Sequence, residues 1–189
     1  MKNITVTVSG LVLGSFLLTG SVLAQHTAAE RNAAPAAVVF DGNFVPFEQA
    51  CSVAKAENKL ILIDFYTDWC GWCKRMDRDT YHDPNVQAAL TKYFACTKLN
   101  AEAKTEHDVD GEHLSERAIA QKFKVTGYPT ITFLTPDQKI LRVVPGYVGP
   151  AEFVDVLNYM GSGAYSTQSF NDWKAKSGGV VKQGGNAAN

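Results

Sequence analysis

One stretch limits what this chain can fold into: Leu60-Ile61-Leu62-Ile63, then Asp64-Phe65-Tyr66-Thr67-Asp68, then Trp69-Cys70-Gly71-Trp72-Cys73-Lys74. A short apolar run bounded by the Asn58-Lys59 turn predicts a strand buried on both faces. That strand delivers a Cys-x-x-Cys pair to the start of a helix. Two cysteines at this spacing approach closely enough to bond. The first sulfur, on Cys70, meets unpaired helix N–H groups and the positive end of the dipole, which favour a thiolate. A fall in its pKa from about 8.5 to about 7 would raise the thiolate fraction at neutral pH from a few per cent to roughly half. Lower basicity returns part of that gain, leaving about threefold in rate and a much better leaving group. A zinc knuckle needs a second ligand pair, which is missing, and a c-type haem site needs His where Lys74 stands. A two-residue loop also gains little from a purely structural disulfide. The pattern therefore points to thiol–disulfide exchange.

Residues 1–24 read as a secretory leader: Lys2 is the positive end, Leu11 to Leu18 form most of the apolar segment, and Val22-Leu23-Ala24 offers small residues for cleavage after about Ala24. The apolar segment is short and interrupted by Ser and Gly, which favours cleavage over an anchor. Export places all four cysteines in an oxidising compartment, where a dithiol stays reduced only if electrons are supplied. Nineteen acidic against eighteen basic side chains give a net charge of −1. That balance points away from nucleic acid or an anionic surface as partner.

After the leader, residues 25–39 form an Ala-rich lead-in, residues 40–162 one domain, and residues 163–189 a short added helix with a disordered tail. A helix is predicted from Pro46 to about Asn58, with Phe47, Ala50, Cys51 and Ala54 inward, and a second from the cysteines to Thr80. Pro84 opens a third, carrying Val86, Ala89, Leu90 and Tyr93. A strand follows from Phe94 to Leu99. Residues 101–112, with Glu102, Glu106, Asp108, Asp110 and Glu112, are expected to be a solvated acidic loop. His107 and His113 beside these carboxylates match no recognised metal-ligand spacing. Leu114 to Phe123 is expected to be helical with Leu114, Ala118, Ile119 and Phe123 inward. A strand from Ile131 to Leu134, a Pro136-Asp137-Gln138 turn, a return strand from Ile140 to Val144 and a helix from Pro150 to Met160 complete the domain. A short helix starting near Thr167 would be anchored by Tyr165, Phe170 and Trp173. The class is α/β: a central mixed sheet with helices on both faces.

Several of these motifs, in this order, resemble the thioredoxin superfamily over Phe40 to Met160. Ile61 to Phe65 before Trp69-Cys70-Gly71-Trp72-Cys73-Lys74 resembles the thioredoxin core strand and active site. Lys98-Leu99-Asn100 resembles its Lys-Leu-Asn strand, and Lys122 to Thr130 its cis-proline loop. Cys73-Lys74-Arg75-Met76 with Asp83-Pro84-Asn85-Val86 is most similar to exported thioredoxin-like domains, including the periplasmic reductase domain of the transmembrane thiol:disulfide interchange protein. The resemblance implies a thioredoxin-like fold with Cys70 as attacking thiolate and Cys73 as resolving thiol. Asp64 is implied as the proton acceptor for Cys73, with Lys98 tuning it, and a buried carboxylate suits that role because burial raises its pKa. Pro129 is implied to be cis, with the backbone of Tyr128 presented to an extended substrate, and Trp69 and Trp72 to offer apolar contact.

The chain departs from thioredoxins at Trp72, where they have Pro, and at Tyr128, bulkier than their usual aliphatic residue. Those positions help set potential and partner choice. The resulting expectation is a periplasmic, monomeric thiol:disulfide oxidoreductase that needs no cofactor or metal, reduces protein disulfides and draws electrons from a membrane donor of the interchange type. The alternatives are an oxidase or isomerase of the same fold, or a non-catalytic module holding copper(I) on Cys70 and Cys73 or docking a partner. Cys51 and Cys96 are either a second disulfide or two buried free thiols.

Overall fold

The computed structural model describes residues 44–177; the expected leader, lead-in and tail beyond Ser177 lie outside the described residues. Pro46 and Asn58 bracket α1 (Phe47–Glu57): Pro46 holds an extended backbone at the start, and Asn58 takes the left-handed conformation that ends the helix. β1 (Leu60–Tyr66) then runs through the core with its five central residues buried. α2 (Gly71–Asp79) starts at the cysteines. α3 (Pro84–Tyr93) is opened by Asp83, whose carboxylate accepts from the N–H groups of Asn85 and Val86, with Pro84 in the first turn. β2 (Phe94–Asn100), β3 (Glu106–Val109), β4 (Glu112–Ser115), α4 (Glu116–Lys122), β5 (Thr130–Leu134), β6 (Ile140–Pro145), α5 (Pro150–Gly161) and α6 (Phe170–Ser177) follow.

The main sheet has the order β2-β1-β5-β6. β1 and β2 are parallel, and the other two pairings are antiparallel, so the sheet is mixed as expected. The period of two divides β1 between two apolar layers. Leu62 faces Met76, Leu90, Phe153 and Leu157 from α2, α3 and α5. Ile61, Ile63 and Phe65 face Phe47, Val53 and Ile119 from α1 and α4. Each of these buried β1 side chains contributes on the order of 1.5–3 kcal/mol. α3 and α5 approach so closely that a Cβ on Gly161 would meet the Tyr93 ring at 2.2 Å, which fixes that position as glycine.

Three expectations are corrected. Residues 101–112 are not simply a solvated loop, because β3 and β4 pair as a hairpin there. Its turn has positive φ at both Asp110 (54°) and Gly111 (82°), the arrangement a tight hairpin turn requires. The helix expected from Leu114 starts at Glu116, because the Ser115 hydroxyl caps it by accepting from the Ala118 N–H (3.2 Å), leaving Leu114 in β4. The C-terminal helix starts at Phe170 rather than Thr167. Ser169 caps it, accepting from the Asp172 N–H (3.2 Å), and residues Ala164–Ser166 form a separate 3-10 turn. Phe170 and Trp173 pack on Tyr159, and Lys174 pairs with the buried Asp155 (2.9 Å), which fastens α6 to α5.

Candidate active site

Cys70 and Cys73 are joined by a disulfide with their Cα atoms 5.3 Å apart. Cys70 occupies the cap position of α2, and its sulfur accepts from the backbone N–H of Cys73 at 3.0 Å. The helix therefore presents to this sulfur the donors that stabilise a thiolate once the bond opens. Both sulfur-bearing residues are largely covered by protein. The flanking Trp69 and Trp72 are 67% and 55% exposed, so the approach to the disulfide is aromatic.

Asp64 faces the α2 side of β1 and is fully buried. Parallel pairing sets it opposite Lys98 on β2, whose ammonium lies 3.3 Å from a carboxylate oxygen of Asp64. Burial raises the Asp64 pKa to about 6, against the downward pull of Lys98 and the Tyr81 hydroxyl. Lys98 makes a second, closer contact with Asp77 of α2. Its ammonium also lies over the rings of Phe44, Tyr66 and Tyr81. Burial alone would lower the Lys98 pKa, but the two carboxylates outweigh it and keep the lysine charged.

The Tyr128–Pro129 peptide bond is cis. The Pro129 carbonyl accepts from the Gly146 N–H (2.8 Å), and the Thr130 hydroxyl donates to the Gly127 carbonyl (2.8 Å), so the loop is braced at both ends. The Tyr128 ring meets Trp69 edge-on at 5.9 Å, and the Trp69 indole N–H donates to both oxygens of Glu102 (3.1 and 3.2 Å). On the other flank Trp72 lies 5.5 Å from Tyr147, with the Arg75 guanidinium over both rings. The residues expected from sequence thus gather around one end of the sheet. Asp77, Arg75, Glu102 and Tyr147 join them without having been anticipated. In sequence, Asp77 and Arg75 look like ordinary solvated positions of a charged helix, and Tyr147 gives only the signal of an aromatic after Gly146.

Cys51 and Cys96 are free and buried, and belong to opposite sides of the sheet, Cys51 with the α1 layer and Cys96 with the α3 layer. The second disulfide left open by the sequence is therefore absent among the described residues. Burial pushes both thiols up, Cys51 to about 11, so neither is a nucleophile near neutral pH.

A second charged cluster lies in the β3–β4 region. His107, largely buried, contacts Glu48 of α1 through Nδ1 (2.6 Å) and Glu116 of α4 through Nε2 (3.2 Å). Burial opposes the charged ring, but the two carboxylates prevail and raise its pKa. Among the described residues no group of three or more His, Cys, Asp or Glu side chains is arranged to hold a metal. No described helix is long and apolar enough to cross a membrane.

Residues 47–161 match the thioredoxin-like domain family. Among curated proteins, the thiol:disulfide interchange protein DsbD of Salmonella typhimurium is 34% identical over 123 residues, which is 64% of this chain and 20% of that protein. DsbD 2 of Pseudomonas aeruginosa is 27% identical over 139 residues, 70% of this chain and 22% of that protein. The chain thus spans about a fifth of the length of these relatives. A thioredoxin-fold protein from Helicobacter pylori superposes with a TM-score of 0.55 at 24% identity, covering 64% of this chain and 80% of that one. A thioredoxin from Thermus thermophilus superposes with a TM-score of 0.51 at 22% identity, covering 62% and 85%. The two superpositions speak for the fold.

Proposed function

The chain belongs to the thioredoxin-like family; from that premise we propose that it is a thiol:disulfide oxidoreductase, an exported, periplasmic reductant of protein disulfides that works as a monomer. The observation that carries the reading is the Cys70–Cys73 disulfide at the start of α2 with the buried Asp64–Lys98 pair on the sheet face covered by that helix. In the reduced protein the Cys70 thiolate attacks one sulfur of a substrate disulfide, and the other substrate sulfur leaves as a thiolate. Cys73 then gives its proton to Asp64 and attacks the Cys70 sulfur. The second substrate thiolate is released, and two electrons have passed to the substrate. An Asp64 pKa of about 6 leaves most of its molecules ionised at neutral pH yet basic enough to take that proton.

Trp69, Trp72 and the Tyr128–Pro129 backbone would receive the substrate as an extended segment. The disulfide left behind needs a dithiol donor, and similarity to interchange proteins supports a membrane carrier of that type. Equilibration of the Cys70/Cys73 couple against glutathione tests the direction. A potential near or below about −230 mV is expected, and one above about −180 mV would replace the reductant with an oxidase or isomerase.

A further inference from the structure

The two aromatic flanks of the disulfide differ in charge. On one, the indole N–H of Trp69 is taken up by Glu102, and Asp68 is exposed beside it. On the other, the Arg75 guanidinium carbon lies 5.2 Å from the Trp72 ring centre and 5.1 Å from that of Tyr147. Arg75 Nε donates to Asp79 (3.2 Å). Among the described residues no side chain or carbonyl accepts from its two terminal amino groups. A half-exposed arginine would ordinarily sample many rotamers, but two rings and a carboxylate hold this one in place. What remains open is the edge of the fork that binds a carboxylate through two parallel hydrogen bonds. Arg78 is taken up by Asp79 (2.7 and 3.0 Å), and Lys74 is exposed on the same helix with no acid paired to it among the described residues, whereas Asp68 and Glu102 would repel an anion from the other flank.

We propose that Arg75, held over the paired rings of Trp72 and Tyr147, is a specificity residue that binds a carboxylate side chain close to the substrate cysteine, so that acidic segments are the preferred disulfide substrates. The inference rests on Cys70 and Cys73 being the reacting pair. It gives the substrate an orientation as well as a composition: its acidic end lies over the start of α2, and its other end over Trp69 and Tyr128.

The test uses the reduced protein and synthetic peptides closed by one internal disulfide. The peptides are identical except for Glu or Gln, placed in turn at each of the two positions on either side of the first cysteine. In at least one register Glu should be preferred roughly tenfold in kcat/KM, mainly through KM, as a charge-assisted pair predicts. The preference should shrink with added salt. In R75Q the Glu and Gln peptides should come within about twofold of each other, and R75K should retain part of the preference as a point charge without the fork. The inference is overturned if the wild type reduces both peptides equally in every register, or if R75Q keeps the preference. R75K and the salt series decide the matter should R75Q fail to fold. If the wild type reduces no peptide at all, the reading of the site falls, and this inference with it.

Discussion

Two buried charge clusters hold a proton by opposite means. At the base of the active site, Asp64 retains its proton to about pH 6 because burial penalises its charge more than Lys98 rewards it. Under the hairpin, burial penalises the charge of His107 as well, but there the partners prevail: Glu48 and Glu116 keep the ring protonated above its ordinary pH range. Both groups bind protons more tightly in the folded chain than in the unfolded one. Folding stability is therefore lost at both as pH rises. For Asp64 the loss runs from the unfolded value of 3.8 to the folded value of about 6. For His107 it runs upward from 6.5 through its raised folded value. The lesson is that a raised pKa identifies a destabilised anion in one place and a stabilised cation in the other. Only the first is poised to take up a proton at neutral pH.

Removing the anion breaks the comparison most strongly. D64N should slow release of the mixed disulfide on the order of 100-fold, the lower range of general acid–base effects. The same change should stabilise the fold above pH 6 by up to about 3 kcal/mol, since the roughly two-unit rise in pKa is no longer a cost. Stopped-flow reduction and denaturant titration at pH 5 and pH 8 read the two effects. A turnover loss without a gain in stability would mean that Asp64 is satisfied rather than strained.

Removing the cation should act in the other direction. H107A is expected to cost about 1–3 kcal/mol at pH 6, by removing the cation beside the mostly buried Glu116, which keeps the Asn100 N–H on its other oxygen. The cost should diminish as pH rises through the raised pKa of the wild-type ring. The Asp64 midpoint should stay in place, which a carboxylate-detected titration of the variant would check. A smaller effect sharpens the picture at the first cluster. Asp77 shares Lys98 with Asp64 and raises the Asp64 pKa by repulsion. D77N should therefore lower the Asp64 midpoint by roughly half a unit to one unit. An upward shift would show that Asp77 acts mainly by positioning Lys98.

Residues with repeating patterns were legible before the structure. β1, α2, α3 and the return through β6 follow from apolar spacing, from Pro84 and from the turn at Pro136-Asp137-Gln138. The hairpin was hidden because one of the two buried residues of its first strand is a histidine. Glu106-His107-Asp108-Val109 alternates exposed and buried, yet only Val109 carries an apolar signal. Asp110-Gly111 was the available clue, a dipeptide suited to tight turns. At the active site Asp64 was legible because it interrupts an apolar strand, and Lys98 because Lys98-Leu99-Asn100 resembles the thioredoxin strand. Asp77 was not, because an acid four residues beyond Cys73 on a polar helix looks like any solvated one. Its importance comes from Lys98, a partner on a strand twenty-one residues further along the chain. The fate of Cys51 and Cys96 depended on which side of the sheet each belongs to, which only the assembled layers reveal.

The positions of the tryptophans have an optical consequence. Two of the three, Trp69 and Trp72, flank the disulfide, while Trp173 packs on Phe170 and Tyr159 in the C-terminal helix. A disulfide quenches excited indoles close to it, so opening the Cys70–Cys73 bond brightens two emitters and leaves the third as a steady reference. The molecule thus carries an intrinsic gauge of its own oxidation state, and its redox cycle can be followed in the native chain without an attached dye.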